Sequence, residues 1–111
     1  MKCLHIFTNE VGNSTIGEIE VSYVTPFANM PLKASKIYEA TAGQLVHSAP
    51  CTQDWHPAPR RQLFVLLSGE VQFETSDGKT ADVLPGSVIL VNAMASKGHL
   101  ARVKKVSRCL L

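Results

Sequence analysis

Two histidines and one glutamine are the residues of this chain whose types and spacing could carry chemistry. His56 and Gln62 lie six positions apart within the segment DWHPAPRRQLFVLLSG, Asp54–Gly69, and His99 ends the segment SKGH. A neutral imidazole is the commonest protein ligand for a metal ion, and an amide oxygen is a weaker third donor. These side chains predict a site for a divalent transition metal (iron, nickel or zinc) or, without a metal, for a small molecule.

Strand geometry is expected to bring the neighbours of His56 to one face. Side chains at even separations in a β-strand point to the same side of the sheet, provided that no bulge intervenes. Pro57 and Pro59 lack backbone donors and suit only the beginning or the edge of a strand. The residues predicted to line a ligand pocket beside the histidines are Arg60, Gln62, Phe64, Leu66 and, from a later strand, Phe73.

The same segment resembles the first sequence motif of the cupin family, G-x5-H-x-H-x3-4-E-x6-G. His56 stands at the first histidine of the motif and Gly69 at its closing glycine. Ala58 replaces the second histidine, and Gln62 replaces the glutamate. The two replacements remove an imidazole and a negative charge, so the resemblance implies a weaker metal site than the full motif would form.

The second cupin motif, G-x5-P-x-G-x2-H-x3-N, is fainter. Pro85-Gly86 resembles its opening turn, His99 stands at its histidine if two extra residues are allowed, and the asparagine has no counterpart. The resemblance covers residues 45–103 and is to small single-domain bacterial cupins. It implies a double-stranded β-helix, which is a jelly-roll barrel, and a metal held by His56, Gln62 and His99.

Hydrophobic patterning, taken without any family, predicts an all-β chain. No stretch longer than about ten residues keeps a helical period, whereas short apolar runs separated by turn residues are typical of a sandwich or barrel. A hairpin is expected where Leu63–Leu67 and Glu70–Glu74 flank Ser68-Gly69, and a second one at Asp77-Gly78. The other predicted strands are Leu4–Phe7, Ile16–Tyr23, Ser35–Ala40, Ala81–Val83, Val88–Val91 and His99–Val106, and Gly43–His47 is expected to lead into the motif segment.

Length and composition limit the class of protein. A chain of 111 residues suits one domain, residues 1–111. Hydrophobic residues make up 45% and charged residues 18%, which predicts a globular protein with a partly covered surface. We therefore expect a homodimer, formed through an edge strand at Leu4–Phe7 and through the apolar end Leu110-Leu111.

Charge and cysteine content exclude several partners and compartments. The net charge of +2 comes from scattered residues and does not form the basic stripe of a nucleic-acid-binding protein. No run reaches the roughly 18 apolar residues needed to span a bilayer. The start does not resemble a signal peptide, because His5 interrupts its apolar run. Three cysteines at long spacings predict reduced thiols and a cytoplasmic protein.

Each candidate residue also has a structural alternative. His56 could cap the start of a strand with its ring hydrogen-bonded to a carbonyl group, and Gln62 could hydrogen-bond to His56 or His99 and orient the imidazole without binding a metal. Arg60 and Arg61 could be solvated or could lie at the pocket mouth, and Trp55 could be a packing anchor.

Three function classes remain open at this stage: a small-molecule binding or sensing protein, a metal-dependent enzyme such as a dioxygenase or isomerase, and a scaffold without chemistry. Because the full ligand set is missing, binding is preferred and the metalloenzyme is the alternative. The pattern names no catalytic residue and no substrate.

Overall fold

The computed structural model describes residues 1–24, 29, 31–58, 60–92 and 97–111 of the chain. Strands are the regular elements of these residues, and no helix occurs among them. A membrane-spanning helix is therefore not found in the described part of the chain. The strands are β1 (Lys2–Thr8), β2 (Ser14–Glu20), β3 (Leu45–Ser48), β4 (Cys51–His56), β5 (Gln62–Ser68), β6 (Val71–Thr75), β7 (Thr80–Val83), β8 (Val88–Val91), β9 (His99–Val103) and β10 (Ser107–Leu110).

The strands form two sheets that enclose one core. A six-stranded sheet has the order β2-β1-β8-β5-β10-β3, and a four-stranded sheet has the order β4-β9-β6-β7. The all-β prediction is confirmed, and the arrangement is compatible with a β-sandwich or jelly roll. Both sheets contribute buried side chains to the core, which consists of Ile6, Ala58, Phe64, Leu66, Val71, Phe73, Val83, Ile89, Val91, Ala101 and Val103.

Alternation along the strands explains which face packs inward. In β6, Val71, Phe73 and Thr75 are buried, while Gln72 and Glu74 between them are partly exposed. Successive side chains of a strand point to opposite faces, so one face of β6 joins the core and the other meets solvent. The predicted hairpin at Asp77-Gly78 is confirmed, because β6 and β7 pair in antiparallel register across it.

The hairpin predicted at Ser68-Gly69 is wrong. β5 pairs with β8 and β10, whereas β6 pairs with β7 and β9, so the chain crosses from one sheet to the other here. Gly69 has a φ of 95°, and a Cβ at this position would lie 2.6 Å from the Ser107 Cα and the Val106 carbonyl oxygen. The Glu70 N–H donates to Ser107 Oγ at 3.1 Å. A glycine is needed because the crossing passes directly against the start of β10.

Three further sequence predictions need correction. β1 is not an edge strand, because it pairs with β2 on one side and with β8 on the other. Ser35–Ala40 forms no strand. The run predicted as His99–Val106 ends at Val103, and the chain then enters the other sheet as β10. The three cysteines are free, as their odd number predicts.

Candidate functional site

His56 and Gln62 lie on two strands in different sheets. His56 ends β4 of the four-stranded sheet, and Gln62 begins β5 of the six-stranded sheet. The even-spacing prediction is therefore wrong for residues 56–60, because the chain leaves the strand after His56. Pro57 has no backbone donor with which to continue the ladder. The prediction holds within β5, where Gln62, Phe64 and Leu66 point to the same side of the strand.

A β-bulge in β4 turns the His56 side chain inward. Gln53 pairs with Ala101 and His56 pairs with His99, so three steps along β4 correspond to two steps along β9. An extra residue of this kind shifts the alternation by one. Gln53 and His56, which an unbroken strand would place on opposite faces, consequently face the same cavity.

The cavity lies between the two sheets and has a volume of about 120 Å³. The three residues predicted from the motif, His56, Gln62 and His99, all line it, and so does Ala58 at the missing second histidine. The remaining lining residues are Val46, Ser48, Gln53, Phe64, Val71, Phe73, Val91, Ala101, Val103, Ser107, Cys109 and Leu111.

The two imidazoles are close neighbours. Their ring centroids are 4.7 Å apart and their planes are inclined by 58°. Gly98, which has a φ of 81°, permits this approach, because a Cβ there would collide with the carbonyl group of His56. Edge-to-face contacts continue from His99 to Phe73 and from Phe73 to Phe64, each with centroids 5.4 Å apart.

A hydrogen bond selects the tautomer of His56. Its Nδ1 lies 2.7 Å from the carbonyl oxygen of Asp54. Because a carbonyl oxygen only accepts, Nδ1 carries the proton and the neutral ring keeps a lone pair on Nε2. The ring-to-carbonyl hydrogen bond of the structural alternative is thus seen, although His56 ends β4 and does not begin a strand. The bond leaves Nε2 available as an acceptor or ligand.

His99 is a buried imidazole without a hydrogen bond at Nδ1. The residue is 7% exposed, and its Nδ1 has no partner among the described residues. Burial, together with the nearby charge that His56 would carry, lowers the pKa of His99 from 6.5 to about 4. The ring is therefore neutral at pH 7, which is the form that binds metals and accepts hydrogen bonds.

Gln62 does not serve as an orienting partner of the Nδ1 atoms. Nδ1 of His56 donates to Asp54, and Nδ1 of His99 has no partner within the described ranges. The Gln62 amide thus lines the cavity without fixing either of these atoms.

The predicted pocket residues occupy three different places. Phe64 and Phe73 line the cavity with Gln62, whereas Leu66 is fully buried in the core beside it. Arg60 lies with Arg61 on a separate, open depression outside the six-stranded sheet.

Sequence reasoning missed lining residues from other strands. Ala101 and Val103 follow His99 at even spacing on β9, and this alternation is a signal that could have found them. Gln53 depends on the bulge and had no such signal. Trp55 is 40% exposed and is not a buried anchor.

The donor set is incomplete for a firmly held metal. Within the described residues, no three His, Cys, Asp or Glu side chains converge as a metal-binding group. His56 has the carbonyl contact that ligating histidines usually make, but only His99 and the weak amide of Gln62 accompany it. The residues present do not fit the full metal centre that the motif resemblance implies.

No model of a known protein family matches the chain, and no curated protein matches it. Any assignment of function therefore depends on the site itself.

Proposed function

We propose that this protein is a cupin-like binding or sensing protein that takes up a small, uncharged, hydrogen-bond-donating molecule between its two sheets. One observation carries the proposal: the imidazoles of His56 and His99 lie side by side, with ring centroids 4.7 Å apart, in a cavity that no charged side chain of the described residues lines. The two-sheet architecture and the residual motif around His56 support the cupin-like assignment.

The size of the cavity limits the ligand. An apolar cavity of about 150 Å³ is known to hold one benzene molecule. The cavity here, at about 120 Å³, suits a compact molecule with a five-membered ring or a short branched chain. Phe64 and Phe73 supply aromatic surface to the lining of the cavity.

The lack of charged side chains in the lining limits the charge of the ligand. An ion moved from water into an apolar site loses its hydration, and only a paired charge offsets that loss. The lining contains no Asp, Glu, Lys or Arg among the described residues. His99 is neutral at pH 7 because its pKa is lowered to about 4. An uncharged ligand is therefore favoured over an anion or a cation.

Hydrogen-bond chemistry determines what the ligand must offer. The Nε2 atom of neutral His56 is an acceptor, because its Nδ1 already donates to Asp54. A ligand that donates an N–H or O–H satisfies it. A ligand with acceptors only leaves this lone pair without a partner.

Matched heterocycles test these requirements. Pyrrole has one N–H donor, furan has the same size without a donor, and pyrrole-2-carboxylate adds a charge. We expect pyrrole to bind, furan to bind roughly tenfold more weakly, since one net hydrogen bond is worth about 1 kcal/mol, and the carboxylate not to bind. Calorimetry gives the affinities, and NMR shifts of the Val71 and Val103 methyl groups report the location. Binding of the carboxylate as tight as that of pyrrole would overturn the proposal.

A histidine substitution tests the role of Nε2. His56→Phe removes the acceptor and keeps a ring in place, so we expect pyrrole to lose its advantage over furan. Retained furan binding shows that the cavity is intact in this variant. His47→Phe, at an exposed position on β3, is the matched control and should leave the preference unchanged. A preference for pyrrole that survives His56→Phe would contradict the assigned acceptor.

A metal-dependent enzyme is the second candidate function, favoured by the His56 contact with Asp54 that resembles the setting of ligating histidines. His56, His99 and Gln62 would be its ligands. Elemental analysis of protein purified without a metal-affinity tag decides between the candidates. A stoichiometric transition metal would replace the proposal above with this one.

A further inference from the structure

We propose that a second copy of this chain covers the outer face of the six-stranded sheet, forming a two-fold homodimer. The side chains that define this outer face are Leu45, Leu63, Val65, Leu67, Leu90 and Leu110. Leu45 is 76% exposed, Leu67 52%, Leu63 46% and Leu110 38%. Single exposed leucines are ordinary, but a contiguous group is typical of an interaction surface.

The strand register shows that the outer face is contiguous. Leu63 pairs with Leu90 across β5 and β8. Leu110 pairs with Val65 on one side and with Leu45 on the other, across β5, β10 and β3. Paired residues of neighbouring strands lie side by side on one face. The apolar surface therefore crosses four adjacent strands without interruption.

The same face carries an open depression that the exposed residue Ile37 helps to line. An open depression of about 1080 Å³ has Leu63, Val65, Leu90 and Leu110 among its lining residues, with the segment 36–44 beside them. Ile37 of this segment is 89% exposed. A two-fold interface requires a surface that is complementary to itself. We place Ile37 of each copy over Leu63 of the other.

Charged side chains surround the depression, three of them basic and one acidic. Lys36, Arg60 and Arg61 line it together with Glu39. Across a two-fold axis, Glu39 of one copy meets the basic side of the other. Such a polar rim around an apolar centre is the usual anatomy of an interface.

The exposed apolar area is close to what a dimer needs. The exposed parts of the outer-face leucines, Ile37 and Tyr38 amount to on the order of 600 Å² per copy, and a standard interface buries about 800 Å² per partner. The charged side chains around the depression supply the remaining buried area. An anionic amphiphile, held by the arginines, is the competing occupant of the depression.

Sedimentation analysis of the full chain between 1 and 200 µM, roughly the range in which interfaces of this size associate, tests the proposal. Wild type should be a dimer in this range. Ile37→Glu should shift the dimer dissociation constant upward by at least about a hundredfold, as expected for a buried charge. Val11→Glu, at a position 80% exposed on the β1–β2 turn, is the matched control and should remain a dimer.

A charge pair tests the placement of Ile37 over Leu63. Leu63→Arg alone should also be monomeric, and an equimolar mixture of the I37E and L63R chains should form a heterodimer, since one Glu meets one Arg and one native contact remains. A mixture that stays monomeric would overturn the proposed arrangement. A monomeric wild type would overturn the dimer, including one that binds sodium decanoate, an anionic amphiphile, in the depression. An I37E variant that dimerises as tightly as V11E would also overturn it.

Discussion

At the scale of single residues, His99 links burial to protonation. Its pKa is lowered from 6.5 to about 4, first by burial and then by the charge of His56. Between pH 6.5 and 4, His99 is protonated in the unfolded chain and stays neutral in the folded protein. The free energy of unfolding is therefore unaffected by His99 above pH 6.5 and decreases as the pH falls from 6.5 toward 4.

We expect the free energy of unfolding to fall by at most about 1.4 kcal/mol per pH unit across this window, or roughly 3 kcal/mol in total, because of this residue. Urea unfolding at pH 7, 6 and 5 measures it in metal-free protein. His99→Phe, which cannot titrate, should show a smaller pH slope than wild type. Equal slopes in wild type and His99→Phe would contradict the assignment.

Ala58 and Gln62 are the residues at which the metal motif departs from its pattern, and both line the cavity with the two histidines. Ala58→His together with Gln62→Glu adds an imidazole and a carboxylate. We expect the double variant to bind nickel or zinc at least about tenfold more tightly than wild type, because both added groups are strong donors for these metals.

Calorimetric titration measures this change, and Gln72→Glu, which adds the same charge on the outer face of β6, is the control and should bind no tighter. A double variant that folds normally yet gains no affinity would show that the four positions do not converge on one ion.

At the scale of elements, the crossing from β5 to β6 depends on Gly69. A Cβ there would meet the backbone of Ser107 and Val106 at 2.6 Å, in addition to the positive φ. Gly78 has a similar φ of 90° but no atom within 4 Å of an added Cβ. The two glycines therefore separate backbone strain from steric collision.

Gly78→Ala should cost about 1 to 2 kcal/mol of unfolding free energy from backbone strain alone. Gly69→Ala should cost roughly 3 kcal/mol or more, since the collision is added to the same strain. Urea unfolding of the two variants compares them directly. Equal losses of unfolding free energy in the two variants would mean that the start of β10 moves away from the added methyl group without destabilising the protein.

At the scale of the whole molecule, the proposed dimer links stability to concentration. When folding and association are coupled, a higher protein concentration favours the folded dimer. We expect the Tm of wild type to rise by roughly 3 °C for a tenfold increase in concentration, given the enthalpy typical of a chain of this size. Calorimetric scans at 10 and 100 µM, concentrations of the order used for such work, measure the shift.

The Ile37→Glu variant should have a Tm that does not depend on concentration, whereas the Val11→Glu control should behave as wild type. A wild-type Tm that is independent of concentration would argue against a dimer that is coupled to folding.

The sequence by itself determined that the chain is all-β, the position of several strands, and the residues that could carry the site. A short apolar run identified β8 at Val88–Val91, and turn residues identified the turn at Asp77-Gly78, because both depend on neighbours a few positions away. Residue type alone pointed to His56, Gln62 and His99, which the structure places around one cavity.

Only the tertiary structure decided which strands pair and which side chains share the cavity. The Ser68-Gly69 turn has the residues of a hairpin, yet the crossing between sheets depends on how closely Ser107 of β10 approaches it. The bulge between Gln53 and His56 is visible only in the pairing of β4 with β9. The pKa of His99 is lowered by burial between two sheets. Each of these features arises from contacts between residues that are distant in the chain, and a local pattern of hydrophobicity does not encode them.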